Sequence, residues 1–136
     1  MINPAENPAM QAAVIYIALL VLGLLPLAVS VIRLRRGKKI GIGDGGNREL
    51  AQAIRVHSNY AEYAPFGLAL LLALPLVSSP VWAVHVVGLG LVIGRIAHAI
   101  GLSRSTGSSF GRVSGMVLTL SALAFGAAAL LWQVVI

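Results

Sequence analysis

Four long apolar runs constrain this chain more than any other feature of its sequence. They cover residues 12–32, 47–74 or 49–74, 81–102 and 113–136. A helix needs about 20 apolar residues to cross a bilayer, and each run is long enough. Only 10% of the residues are charged, against about 25% in soluble domains, which excludes a soluble domain and a disordered tail. The sequence therefore predicts an all-α membrane protein, a bundle of four transmembrane helices forming one domain over residues 1–136.

The basic residues all lie at one end of this predicted bundle. They occur in or beside the first and third gaps between spans, and they are Arg33, Arg35, Arg36, Lys38, Lys39, Arg48, Arg55, Arg95, Arg104 and Arg112. The N-terminal tail, residues 75–80 and the C-terminus carry no Lys or Arg. Because Lys and Arg are enriched in cytoplasmic loops, the basic loops are predicted to be cytoplasmic, with both termini on the opposite side.

Two further expectations follow from the charge pattern. The N-terminus lacks the basic start of a signal peptide, so the first span is expected to remain in the mature protein. Nucleic-acid binding is not expected, because the basic residues sit in short gaps between long apolar runs.

Polar residues in the second span repeat with the period of a helix. Spaced by four, three, four and three residues, they are Arg48, Gln52, Arg55, Asn59 and Glu62. This spacing places them on one stripe, which puts Glu62 about 12 Å inside the hydrocarbon core. Exposing such a side chain to lipid costs roughly 2.5–3.5 kcal/mol, so Glu62 must face protein or water.

Two interpretations of the stripe remain open. Glu62 could pair with a nearby arginine and hold helices together. Alternatively, the stripe lines a pocket, open to the cytoplasm, for a small zwitterionic or anionic ligand. Two arginines, an amide and a carboxylate can bind carboxylates and an ammonium together.

The second span carries a stretch, RVHSNYAEYAP over residues 55–65, that resembles a signature of the MAPEG family. These are membrane-associated proteins of eicosanoid and glutathione metabolism. Residues 94–98, GRIAH, are similar to the end of the family's third helix, and Arg112 opens the fourth helix near where catalytic members place an arginine. The resemblance covers essentially the whole chain, and it implies a homotrimer that binds glutathione between adjacent subunits at the cytoplasmic side.

The resemblance also implies roles for particular residues. The glutathione contacts expected from it are Arg55, Asn59, Glu62, Tyr63, Arg95 and His98. For Arg95, an ion pair with Glu62 is the alternative to ligand contact.

Arg112 is expected to be the catalytic residue. A guanidinium at the start of a helix adds to the positive end of the helix dipole, which favours the thiolate of glutathione, the nucleophilic form. A lipophilic electrophile or a lipid hydroperoxide would reach it through the membrane. Arg104 is the rival for this role, because the gap before Arg112 is slightly longer than in the eukaryotic synthases. The chemistry needs no metal and no protein nucleophile, in keeping with the absence of cysteine.

Two alternative functions remain. Some catalytic members of the family carry a tyrosine late in the third helix, where this chain has Ala99 and Leu102. This departure favours a non-catalytic protein that binds lipid or glutathione. The second alternative is a small proton-coupled exporter that uses Glu62, although no polar residue follows Glu62 toward the outer face.

Small and aromatic residues in the later spans complete the predictions. Trp82 and Trp132 lie near the outer ends of their helices and are expected to anchor them at the membrane interface. Gly90 and Gly94, four residues apart, are expected to allow close packing of helices.

The partners expected from the resemblance are a second and third copy of the chain, membrane lipids, glutathione and a lipophilic electrophile.

Overall fold

Four helices form the protein in a computed structural model that describes residues 6–135. They are α1 (Pro8–Lys38), α2 (Arg48–Leu76), α3 (Val81–Arg104) and α4 (Phe110–Val135). No strand occurs within the described range. The all-α membrane bundle predicted from the sequence is confirmed, and only the helix ends differ. The predicted end of the fourth span at Ile136 lies outside the described residues.

The helices α1, α3 and α4 are long and apolar enough to cross a membrane. α2 has 29 residues and would be about 44 Å long, but the polar residues of its first half lower its mean hydropathy. It nevertheless packs against all three other helices. Leu50 near its start and Leu74 near its end are both fully buried, so α2 lies within the bundle along its length.

Short connections join the helices, so that consecutive helices run antiparallel. We call the end that holds the connections 39–47 and 105–109 the basic end. The connection 77–80, the start of α1 and the end of α4 form the opposite end.

The start of α2 is fixed by a side-chain cap. Oδ1 of Asn47 accepts a hydrogen bond from the backbone N–H of Leu50 at 2.9 Å, which satisfies one of the free donors of the first turn. Asp44 accepts a hydrogen bond from the backbone N–H of Gly46 within the connection. Nη1 of Arg35 donates to the carbonyls of Gly41 and Gly43, which ties the same connection to α1.

The helices α3 and α4 approach each other along a seam of glycines. A Cβ on Gly90 would lie 2.8 Å from Cβ of Ala122, and one on Gly94 would lie 2.9 Å from the carbonyl oxygen of Gly115. The predicted close packing at Gly90 and Gly94 is therefore confirmed. Nearer the basic end, a Cβ on Gly115 would lie 2.5 Å from the backbone nitrogen of His98. The seam thus fixes His98 beside the first turns of α4.

Candidate functional site

Arg95 is the largest side chain that the bundle buries fully, with 1% of the residue exposed. Nε donates to Oγ1 of Thr119 on α4 at 2.9 Å, and Nη1 donates to Oδ1 of Asn59 on α2 at 2.9 Å. The ring of Tyr63 lies 5.0 Å from Cζ of Arg95, within range of a cation–π contact. None of the carboxylates in residues 6–135 pairs with this guanidinium. Its positive charge is therefore held by neutral groups from two neighbouring helices.

The expected ion pair between Arg95 and Glu62 is wrong. Oε1 of Glu62 lies 3.3 Å from Nη1 of Arg55, which is on the same helix. The reason lies in the direction of the side chains on α2. Asn59 points toward α3 and satisfies Arg95, whereas the side chains of Arg55 and Glu62 remain 63% and 49% exposed.

The polar stripe of α2 divides between two surfaces, one that contacts α3 and one that faces outward from the bundle. Nε2 of Gln52 donates to the carbonyls of Leu102 at 2.7 Å and Ser103 at 3.1 Å. These carbonyls belong to the last turn of α3, where acceptors lack partners within the helix. Gln52 and Asn59 therefore bind α3, while Arg55 and Glu62 form an outward surface that we call the charged face.

The charged face lies at membrane depth. Glu62 precedes Leu76, the last residue of α2, by about 21 Å of helix, and Arg55 precedes it by about 31 Å. With Leu76 placed at the outer boundary of a hydrocarbon core of roughly 30 Å, Glu62 would lie inside the core and Arg55 near its inner boundary. Ionisable groups at such depth face protein or water and not lipid, and the side chains of Arg55 and Glu62 are about half exposed or more in the single chain.

A groove of about 500 Å³ opens at the basic end, where α4 begins. Its walls include His98, Thr106, Ser108, Arg112, Met116 and Val117. The backbone N–H of Arg112 donates to Oγ of Ser109 at 3.4 Å, so that Ser109 caps α4. The Arg112 side chain folds back, and its Nη1 donates to the carbonyls of Thr106, at 2.9 Å, and Gly107.

The groove connects to the buried Arg95. Nη2 of Arg95 lies 3.9 Å from Sδ of Met116, which lines the groove, so the guanidinium stands behind the groove wall. The buried guanidinium of Arg95 and the side chains of His98 and Arg112 therefore border one groove.

The structure brings most of the predicted site residues together. Tyr63 and Asn59 contact Arg95, and His98 lines the groove beside Arg112. Asn59 and Arg95 are buried behind this surface, which suits them to support the site from within. Arg104, the rival of Arg112, is exposed at the last position of α3 and does not line the groove.

Thr119 and Met116 also contact Arg95, and the sequence did not point to either of them. Hydroxyls occur at Ser114, Thr119 and Ser121 in the fourth span, and no local pattern distinguishes Thr119 among them. For Met116 no signal was available, because methionine is unremarkable in such a span. Within residues 6–135, no group of three or more His, Asp or Glu side chains is placed to hold a metal.

Comparison with known proteins gives consistent matches over nearly the whole chain. The family model described as "MAPEG family" matches residues 13–132. The inner membrane protein YecN of Escherichia coli strain K12 is 36% identical over 122 residues, covering 90% of this chain and 92% of that protein. YecN of Escherichia coli O6:H1 matches with the same values. No solved structure matches.

Proposed function

We propose that this chain, which belongs to the MAPEG family of membrane proteins, is a glutathione-dependent transferase or peroxidase. The observation that carries the proposal is the groove at the start of α4, with His98 and Arg112 on its walls and the buried charge of Arg95 behind it. Since no carboxylate of the described chain pairs with Arg95 or Arg112, the groove favours an anionic occupant.

Glutathione offers groups that match the charged face as well. It carries two carboxylates and one ammonium, and α2 presents one guanidinium and one carboxylate at Arg55 and Glu62. The exchange of the internal ion pair for two ion pairs with the ligand pairs one carboxylate and the ammonium of glutathione, and it leaves the second carboxylate without a partner on the charged face. We propose that Arg55, Glu62 and Tyr63 contact glutathione, with Asn59 and Arg95 holding that surface in place.

Arg112 is the residue proposed to activate the thiol. A cysteine-type thiol has a pKa of about 8.5, so most of it is protonated at neutral pH, whereas the thiolate is the nucleophile. Nη1 of Arg112 is bound to two carbonyls, but a guanidinium has five N–H donors. The donors at Nε and Nη2 are therefore available to an anion, and the positive end of α4 adds to their effect.

Two reactions are compatible with such a thiolate. In the transferase reaction it attacks an electrophilic carbon of a lipophilic acceptor and forms a carbon–sulfur bond. A leaving group departs from that carbon with its electron pair, or, in an addition, the displaced π-electron pair takes up a proton. In the peroxidase reaction, two glutathione molecules reduce a lipid hydroperoxide to an alcohol and water, and they leave as the disulfide. Neither reaction requires a metal or a nucleophile from the chain.

A non-catalytic binding protein is the second candidate, and one observation favours it. The Arg112 side chain holds the connection 105–109 through Thr106 and Gly107, as a purely structural residue would. In this case glutathione or a lipid would bind without formation of a thiolate.

The uncovered charged face supports a homotrimer in which a neighbouring copy covers Arg55 and Glu62 and glutathione binds between adjacent subunits. We further propose that the basic end is cytoplasmic, with both termini on the opposite side, as the distribution of Lys and Arg favours. Alkaline phosphatase fused after the C-terminus would then be active in a bacterial host, and a cytoplasmic C-terminus would contradict this orientation.

The test of the proposed function is an ultraviolet difference titration with glutathione in detergent. The wild-type protein is expected to give a saturable thiolate band at neutral pH. Arg112→Ala should lose this band while calorimetry still detects glutathione binding, and Arg104→Ala, altered at an exposed site outside the groove, should retain it.

The remaining outcomes separate the alternatives. Binding without a thiolate band in the wild-type protein would favour the non-catalytic binder. A full band in Arg112→Ala, with its loss in Arg104→Ala, would transfer the role to Arg104. Absence of both binding and band would contradict glutathione as the ligand.

A further inference from the structure

A second cavity, of about 350 Å³, lies at the opposite end of the bundle, between the start of α3 and the end of α4. Its walls include Trp82, Phe125, Ala128, Ala129, Trp132 and Gln133. The rings of Trp82 and Phe125 pack against each other, with centroids 6.0 Å apart. Both tryptophans of the chain therefore face one largely apolar cavity.

Ser79 contributes a polar residue to the lining of this cavity. The residue lines the cavity and is only 4% exposed. Its Oγ is the one buried side-chain nitrogen or oxygen in residues 6–135 that has no hydrogen-bond partner. Leaving such a group unsatisfied costs about 1–3 kcal/mol, and native proteins contain few of them. A partner from outside the chain would remove this cost.

The first turn of α3 places further free donors next to Ser79. The N-cap residue, Pro80, has no side chain that can accept a hydrogen bond, and the first turn holds no acidic residue. The backbone N–H groups of Val81 and Trp82 consequently have no acceptor within the described chain. Together with the positive end of the helix dipole, they add an independent preference for a negatively charged acceptor.

We propose that this cavity binds a fatty acid, with its carboxylate at Ser79 and the first turn of α3 and its acyl chain between the two tryptophans. A carboxylate only accepts hydrogen bonds and can accept several, which suits a hydroxyl and free backbone donors. This end of the bundle has no Lys or Arg, so a more highly charged phosphate would lack counter-charge. The site lies at the other end of the bundle from the glutathione groove and does not depend on the proposed function.

Intrinsic fluorescence gives a direct test, because both tryptophans line the cavity. The protein is placed in nanodiscs and titrated with a fatty acid brominated along its chain, since bromine quenches tryptophan at short range. Saturable quenching at a low molar fraction of fatty acid is expected. The methyl ester of the same acid and a phospholipid with the same brominated chain should quench only in proportion to their amount in the bilayer.

Two variants separate a built site from simple contact with lipid. Ser79→Ala should weaken the apparent affinity about tenfold, the effect of one hydrogen bond to a charged group. Ala128→Phe should fill the cavity and remove the saturable component. Ala127→Phe is the matched control, because Ala127 neighbours Ala128 on α4 but lines a different groove, and it should behave as wild type.

Other results would overturn the proposal. Equal quenching by acid, ester and phospholipid would mean that the tryptophans only anchor the helices at the interface. An absence of quenching by all three would mean that a neighbouring chain fills the cavity. Melting curves identify a variant that has not folded, and Ser79→Ala and Ala128→Phe act by different means, so failure of one leaves the other as the test.

Discussion

At the scale of single residues, Arg95 stands out because a full positive charge is buried without a carboxylate. Oγ1 of Thr119 and Oδ1 of Asn59 hold it from two sides, each at 2.9 Å. A planar guanidinium can reach both acceptors at once, whereas an ammonium is a single point of charge. The geometry therefore depends on arginine and not merely on positive charge.

Arg95→Lys should lower the stability of the protein although it keeps the charge. Loss of the hydrogen bond to Thr119 or to Asn59 leaves a buried group unsatisfied, at a cost of about 1–3 kcal/mol. The apparent melting temperature in detergent measures this effect. Arg104→Lys, at an exposed site, should leave the melting temperature unchanged, and equal melting of both variants would contradict the role given to Arg95.

Glu62→Gln should show whether Glu62 binds a ligand or stabilises the packing of helices. The ion pair between Arg55 and Glu62 joins two residues of the same helix, so it holds no second helix of the chain in place. Stability should therefore change little, while the affinity for glutathione, measured by calorimetry, should fall about tenfold through loss of a charge-assisted contact. A large loss of stability with unchanged affinity would indicate that Glu62 stabilises the packing of helices.

At the scale of the helices, the seam between α3 and α4 determines the shape of the groove. A Cβ on Gly115 would lie 2.5 Å from the backbone nitrogen of His98 and 2.7 Å from the carbonyl oxygen of Gly94. Both neighbours are backbone atoms and cannot turn aside, as the tip of a side chain could. The two helices must separate to admit even a methyl group.

Gly115→Ala should accordingly destabilise the bundle by about 1–3 kcal/mol, the range for overpacking, and weaken glutathione binding by moving His98 away from Arg112. Gly37→Ala is the matched control, because an added Cβ there would have no neighbour within 4 Å and alanine favours a helix. Melting curves and calorimetry on both variants test this, and a Gly115→Ala protein that behaves like the control would refute the tight seam.

The sequence predicted the helices better than it predicted the contacts between them. The cap at Asn47 is a local feature, because Asn47 and its partner Leu50 are only three residues apart. The partnership of Arg95 with Thr119 joins positions 24 residues apart, and no local pattern encodes it. The spacing of the stripe on α2 placed Asn59 and Glu62 on one side of the helix, but it could not tell which of them would face α3.

At the scale of the whole molecule, the charged face supports the proposed association of several copies of the chain. Arg55 and Glu62 are exposed at a depth where lipid would otherwise surround them. Phe66, one turn beyond Glu62, is 66% exposed. A neighbouring copy that covers the two charges would also lie against this ring.

Phe66→Cys, labelled with a thiol-reactive benzophenone, should therefore cross-link photochemically to a neighbouring copy of the chain in membranes. The protein contains no cysteine, so the introduced thiol is the only one available. Ile96→Cys is the control, because Ile96 is 48% exposed on α3 and is not on the charged face. Covalent dimers on denaturing gels are expected for the first variant only, and equal cross-linking of both would contradict an interface at the charged face.

The glycine seam has a mechanical consequence. Because backbone atoms of α3 and α4 are already in contact, and packed interiors resist continuous deformation, these two helices cannot slide past each other by small steps. The two helices move as one rigid unit, and the distance between His98 and the start of α4 therefore stays constant. Movement at the groove is therefore expected in the connection 105–109 and not between α3 and α4.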